Sequence, residues 1–272
     1  MRILVTNDDG IGRGGLRVLA RRLRRDGHDV VVVAPATERS GSSASLGVVA
    51  NHTMITVDDE PAAEWGGIRA HAIDGPPAAA VRAACGGAFG PVPDLVMSGI
   101  NPGHNTGRII IHSGTVGAAL TAAAMGIGGV AVSTARDSAT GYDTAAELAA
   151  WIAAGLTVRS HPAFALNVNV PSVPIERLAG IGDAAPGPAG IVEIGLRRMT
   201  DHLQVIRTAT APPFTPGTDA DLLHRGLASL TPLALPWAGP QGPPDTGELV
   251  EFLAQRLAEA QGQSRTEPPP GP

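Results

Sequence analysis

The sequence predicts an open α/β fold: a Rossmann-like core of parallel strands with helices on both faces, followed by an extended C-terminal arm and a closing helix. Three observations carry this. Short unbroken apolar runs, such as Ile3–Val5 and Val30–Ala34, alternate with stretches of helical length. Strands buried on both faces read as continuous apolar runs, the mark of parallel sheets. Polar, glycine-containing loops follow these runs, where ligands gather in open α/β sheets.

The first strand spans Arg2 to Thr6 and stops at Asn7-Asp8-Asp9-Gly10. A helix over Gly14 to Arg25 follows, because Leu16, Leu19, Ala20 and Leu23 share one face and Gly27 supplies a stop. A second strand covers Asp29 to Ala34 and is closed by Pro35. Asp94 to Ser98 is a further strand, Thr115 to Met125 an Ala-rich helix, and Gly129 to Ser133 a strand. Thr144 to Leu156 is helical and Phe164 to Val168 is again a strand. From about Pro171 proline and glycine cluster, and Gly190 to Thr210 suits a hairpin or an extended arm. Asp245 to Gln261 is a closing helix, with Asp245 and Glu248 placed as a capping box and Leu249, Phe252, Leu253 and Leu257 as its apolar stripe. The expected organisation is a catalytic core over 1–175, an arm or oligomerisation segment over 176–245, a helix over 246–261 and a disordered tail over 262–272.

Composition narrows the function. The 272 residues carry 20 Lys+Arg against 25 Asp+Glu, so no basic excess recruits a nucleic-acid polymer. Arg17, Arg21, Arg22, Arg24 and Arg25 fall on one helix as its solvated face. Cys85 is the one cysteine, which excludes an intramolecular disulfide and fits a cytoplasmic location. No signal peptide is expected. The uncharged stretch between Arg108 and Arg136 is long enough to span a bilayer, but glycines at 126, 128 and 129 divide it into helix and strand, so no membrane contact is expected.

The chemistry starts from Asp8 and Asp9. Adjacent carboxylates after a core strand repel each other unless a cation or water intervenes. Three polar segments join them: Arg39 to Ser45, Ser98 to Asn105, and His112-Ser113-Gly114-Thr115-Val116 at the start of the Ala-rich helix. Ser-Gly-Thr at a helix N-terminus offers hydroxyls, free N–H groups and the positive end of the dipole, a combination that binds phosphate. Carboxylates, a serine hydroxyl and an asparagine carbonyl are hard oxygen ligands suited to Mg²⁺ or Mn²⁺. Each segment alone is equally well a turn, a surface loop or an N-cap. Their convergence on one sheet favours metal-assisted phosphoester hydrolysis.

Asn7-Asp8-Asp9-Gly10, Ala34-Pro35, Arg39-Ser40-Gly41, Ser98-Gly99-Ile100-Asn101, Asn105 and Ser113-Gly114-Thr115-Val116 resemble, in order and spacing, the SurE family. Looser matches continue through Asn167-Val168-Asn169-Val170-Pro171 and Gly217-Thr218-Asp219 to Thr231-Pro232-Leu233. The resemblance implies a SurE-like fold, a swapped arm in a homodimer or homotetramer, and 5′-nucleotidase activity on nucleoside monophosphates. It implies one divalent metal ion per subunit, Mg²⁺ or Mn²⁺, held by Asp8, Asp9, Ser40 and Asn101. It places Asn105, Ser113, Gly114 and Thr115 on the phosphate and gives Asp8 and Asp9 the catalytic role. The chain departs from the family pattern at Ala79 and Thr121, where carboxylates are usual, at Arg13-Gly14-Gly15, where Ala-Pro-Gly is usual, and in an arm that has lost its aromatics.

The implied reaction is hydrolysis of a nucleoside 5′-monophosphate by metal-activated water or through an aspartyl intermediate. His104 and His112 are candidate donors to the leaving alkoxide. A broader phosphatase, acting on 3′-nucleotides or short polyphosphate, is the alternative. So is a homologue that binds nucleotide or metal without turnover. A dinucleotide-dependent oxidoreductase on a Rossmann core is a third option and lacks support.

Overall fold

A computed structural model describes residues 1–135, 138–157, 163–235 and 246–266. In chain order the elements are β1 (Arg2–Thr6), α1 (Gly14–Arg25), β2 (Asp29–Pro35), β3 (Val57–Asp59), β4 (Arg69–Ile73), α2 (Pro77–Cys85) and β5 (Leu95–Pro102). They continue with α3 (Gly114–Ala124), β6 (Gly128–Thr134), α4 (Ala139–Thr157), β7 (Ala165–Val170), β8 (Gly180–Asp183), β9 (Val192–Arg198) and β10 (Leu203–Ala209). The last are α5 (Asp219–His224), β11 (Leu227–Leu233) and α6 (Gly247–Thr266).

The main sheet has nine strands in the order β3-β4-β2-β1-β5-β6-β7-β11-β8. It is parallel except at β3–β4 and β7–β11. Residue alternation in the strands sorts the two helical layers. Ile3, Val5, Val30 and Val32 point into the core shared with α1, α4 and α6. Leu4, Val31 and Val33 face α2 and the Ala-rich flank of α3. This two-sided burial explains the unbroken apolar runs. Arg22 of α1 binds both carboxylate oxygens of Glu147 on α4, at 2.7 and 3.0 Å, which ties two helices of one layer together.

The strand order reverses at β1: the chain crosses to β2 on one side, and β5 lies on the other. This is the switch point at which an open α/β sheet leaves a crevice beyond its strand ends. Asp8 and Asp9 sit there.

Several boundaries differ from expectation. β5 continues to Pro102 instead of ending at Ser98, with an irregularity between Ser98 and Asn101. Gly99 makes this possible. Its φ is +139°, and a Cβ there would lie 2.3 Å from the Val132 carbonyl oxygen. Asn101 therefore stands on a strand, not in a loop. Beyond residue 176, β8 and β11 return to the main sheet, and only β9 and β10 form a separate antiparallel hairpin. α6 runs through Thr266, so Gly262 to Thr266 is helical where a disordered tail was expected. The rest of that tail and the capping residue Asp245 lie outside the described residues. Among the described residues no helix is long and apolar enough to cross a membrane.

Candidate active site

The turn after β1 is built by Asn7. Its side-chain amide donates to the Gly10 carbonyl at 3.0 Å, and its carbonyl accepts the Gly10 N–H at 3.2 Å. Gly10 has φ +105°, a conformation that favours glycine. The closed turn turns Asp8 inward, where it is 3 % exposed. One Asp8 oxygen accepts the Gly114 N–H at 3.1 Å and the other accepts the Thr115 hydroxyl at 2.5 Å. Asp8 thus lies over the N-terminus of α3, where the dipole favours an anion. Burial is the larger effect and raises its carboxyl above the ordinary value, with the hydrogen bonds from Thr115 and Gly114 opposing it.

The Ser-rich loop bridges Asp8 and α3. The Arg39 N–H donates to the Asp8 carbonyl at 2.7 Å, and the Ser43 hydroxyl donates to the Ile111 carbonyl at 2.8 Å. A Cβ at Gly117 would lie 2.1 Å from the Ser43 carbonyl oxygen, so the loop rests directly on the helix. Gly15 has a similar duty: a Cβ there would meet the Ile100 carbonyl oxygen at 2.3 Å, which keeps α1 close to β5.

A cavity of about 200 Å³ collects Asp8, Asp9, Ser40, Asn101, Asn105 and Ser113. Six of the expected site residues therefore meet in one space. Gly114 and Thr115 do not line it; their N–H and hydroxyl are spent on Asp8. Ser113 caps α3 by accepting the Val116 N–H at 3.2 Å. The Asn101 side-chain NH₂ donates to the Gly103 carbonyl, which orients its amide. The Ser40 hydroxyl donates to Glu38 at 2.9 Å.

Asn105 is clamped from β7. Asn167 and Asn169 both donate to its carbonyl, at 2.8 and 2.9 Å, and Asn169 accepts its N–H at 2.8 Å. Its own side chain donates to the Ser133 hydroxyl at 2.9 Å. All of these groups are buried. Asn169→Leu is expected to destabilise the protein by about 1–3 kcal/mol, because it strands a buried amide N–H. Chemical denaturation of the variant checks this.

Asp219 secures the next residues by accepting N–H groups from Gly107, Gly187 and Ala220. Burial raises its carboxyl above the ordinary value. His104 donates Nε2–H to the Val170 carbonyl at 3.0 Å, and burial lowers its imidazole below the ordinary value. With its Nε2–H engaged by the Val170 carbonyl, His104 is poorly placed to donate a proton to a leaving group. His112 is exposed at the rim of the cavity.

The same cavity holds residues that the sequence did not single out: Glu38, Arg13 as a contributor, and Arg207, Val192 and Ile194 from the hairpin. Glu38, two positions before Ser40, was available to a reading of spacing. Arg207 had no local signal. Ala79 packs among apolar side chains and the Thr121 hydroxyl donates back to the Gly117 carbonyl at 2.7 Å; neither lines the cavity.

The donor set suits a hard divalent cation. Among the described residues no group of three or more His, Cys, Asp and Glu is placed to hold a metal. The set is instead two carboxylates, a hydroxyl and an amide oxygen, all hard donors. Beside it the Ser42 hydroxyl is buried with no hydrogen-bond partner among the described residues. Ser42 Oγ and Asp8 Oδ2 both lie within 2.8 Å of the point where a Cβ on Gly114 would stand. The oxygen-rich cleft fits such an ion.

A mostly parallel α/β sheet with an acidic, oxygen-lined cleft at its switch point defines the class. Within that class the chain belongs to the SurE family: the family model described as Survival protein SurE matches residues 3–193. It is 34% identical over 250 residues to a 5′-nucleotidase SurE of Gloeobacter violaceus, covering 86% of this chain and 89% of that protein. A 5′-nucleotidase SurE of Geobacter metallireducens is 38% identical over 241 residues, covering 86% and 92%. The crystal structure of the SurE protein from Aquifex aeolicus matches with a TM-score of 0.71 at 27% identity, over 93% of this chain and 99% of that one.

Proposed function

We propose that the protein is a metal-dependent phosphomonoesterase that hydrolyses nucleoside 5′-monophosphates to nucleoside and phosphate. The observation that carries this reading is the meeting of Asp8, Asp9, Ser40 and Asn101 in one cavity, in a chain whose relatives are named 5′-nucleotidases. Those four side chains would hold one divalent ion, Mg²⁺ or Mn²⁺. When bound, it supplies a Lewis acid at the phosphoryl oxygen. Asn105 and Ser113 face the same space and contact the remaining phosphate oxygens. Gly114 and Thr115 act through Asp8, which they fix by both oxygens. Asp8, held in that way, is a poor nucleophile.

A second cavity, about 320 Å³, shares His104 with the first and is lined by Ile191, Pro212, Phe214, Leu223 and His224. We assign it to the nucleoside. Its aromatic and apolar walls suit a base, and the adjoining cavity suits the phosphate. Because Ala79 and Thr121 lie away from the cleft, the missing family carboxylates give no ground for a homologue without turnover.

The hairpin bares Leu196, Leu203 and Val205, each more than 60 % exposed. Register places Leu196 and Val205 on one face, with Leu203 following two residues from Val205. We assign the tip of this face to a second copy, in a homodimer or homotetramer, while its root at Val192, Ile194 and Arg207 lines the cleft, and light scattering tests it. Cys85 is buried and unpaired, in keeping with a reducing cytoplasm.

Phosphate release across nucleoside 5′- and 3′-monophosphates and short polyphosphate, with Mg²⁺ or Mn²⁺, tests the main reading. Release from 5′-nucleotides is expected, with loss in EDTA and recovery on adding metal. Equal rates on 3′-nucleotides would replace the reading with a broader phosphatase.

A further inference from the structure

We propose that Arg207 is a phosphate-contacting residue, delivered to the cleft by the hairpin, and that it makes this site selective for a dianionic phosphate group. The proposal rests on reading the cavity as a phosphate site.

Arg207 pairs with Ile194 across the β9–β10 ladder, so the two side chains share one face of the hairpin. Val192, two residues before Ile194, lies on that face too. All three line the cavity that holds Asp8, Asp9 and Asn101. A Cβ built on Gly103 would stand 3.7 Å from the Asn101 amide nitrogen and 3.8 Å from Arg207 Nη2. The guanidinium and the proposed metal ligand thus flank one small space.

The root of the hairpin is fixed. The Ile191 N–H donates to the Thr106 hydroxyl at 3.0 Å, and the Thr210 N–H donates to the Ile191 carbonyl at 3.0 Å. A Cβ on Gly190 would lie 2.3 Å from the Thr106 carbonyl oxygen, so backbone meets backbone there. Arg207 lies three residues before Thr210, the second side of this anchor, and its position is set by it.

Its guanidinium has no hydrogen bond or ion pair among the described residues. The other hairpin arginines are engaged: Arg197 with Gln204, and Arg198 with the Met199 and Thr200 carbonyls. Arg13, in the same cavity, is paired with Glu38 at 3.5 Å. Arg207 is therefore the guanidinium left for a ligand. Charge points the same way. Three carboxylates, Asp8, Asp9 and Glu38, face two guanidiniums, Arg13 and Arg207. With a dication bound the cleft becomes cationic and takes a dianion; without Arg207 it would be neutral. Arginine also matches phosphate oxygens with paired N–H donors.

The test is binding of inorganic phosphate to the Mn²⁺-loaded full chain by calorimetry, with turnover of AMP measured in parallel. Arg207→Ala is expected to weaken phosphate binding about 10-fold or more, and to lower kcat/KM for AMP by about 10–100-fold. Arg207→Lys should recover part of both losses. If the alanine variant alters the assembly state, Arg207→Gln, which keeps the stem, decides by the same measure. Unchanged phosphate affinity in the variant overturns the proposal, as does a wild type that binds no phosphate. If AMP is not hydrolysed but phosphate binding still depends on Arg207, the nucleotidase reading fails and this one stands.

Discussion

Asp8→Asn is expected to lower phosphate release from AMP by about a thousandfold while the protein stays folded. The carboxylate is buried beneath the cleft and carries one of the two charges proposed to hold the cation. Asparagine keeps the shape and can still accept from Thr115. It turns an NH₂ group towards one of the two donors that now bind Asp8. The same variant makes a prediction about pH. Burial raises the Asp8 carboxyl above its ordinary value, so the native state favours the protonated form. Without metal, ionised Asp8 lowers native stability. That loss begins as pH rises through the unfolded-state value, about 4, and is complete above the raised native-state value. Asp8→Asn has no such group. Its melting temperature relative to the metal-free wild type should therefore rise with pH across that window. Mg²⁺ or Mn²⁺ should stabilise the wild type and leave the variant unmoved. A variant that turns over AMP at the wild-type rate would remove the acid pair from the mechanism.

This dual behaviour explains why the acid pair was legible in the sequence and much of its setting was not. Asp8 and Asp9 announce themselves because charges after an apolar strand conflict with local preference, and such conflicts mark function. Asn101, Asn105 and Ser113 were readable as polar breaks at the ends of strong elements. The core strands β1, β2, β5 and β6 are legible as apolar runs, and β7 as apolar residues interrupted by Asn167 and Asn169. β3 was not, because it has three residues, all exposed. β4 reads Arg-Ala-His-Ala-Ile and has no apolar run, β8 has four residues, and β11 carries Pro232. Their places in the sheet are set by tertiary pairing, with little local pattern. A helix N-terminus attracts anions, which makes Gly114 and Thr115 legible as phosphate contacts; the structure adds Asp8 as an anion they hold. Arg207 comes from a hairpin whose pairing with the cleft depends on Gly107 and Gly190 approaching each other. Its part in the cavity belongs to the three-dimensional arrangement alone.

The closeness of Gly114 to Asp8 gives the second large effect. A Cβ on Gly114 would stand 2.7 Å from Asp8 Cβ, 2.8 Å from Asp8 Oδ2 and 2.7 Å from Ser42 Oγ. Gly114 opens α3 with ordinary helical geometry, so space alone demands glycine. Asp8 cannot yield easily, since Asn7 closes its turn and Thr115 holds its other oxygen. Gly114→Ala is expected to push the carboxylate away from the helix and stretch the Gly114 N–H bond to it. Overpacking of this kind costs about 1–3 kcal/mol. A displaced catalytic group costs about a hundredfold in rate. Mn²⁺ affinity, measured well below the melting temperature, separates displacement from simple unfolding and should fall with activity. Thr115→Val supplies the complementary case. It deletes the hydroxyl with little change of shape, so Asp8 loses a donor but is not displaced by a new atom. Its effect on Mn²⁺ affinity should be smaller than that of Gly114→Ala. If the added methyl left metal affinity and turnover intact, the fit between α3 and Asp8 would not be what positions the acid pair.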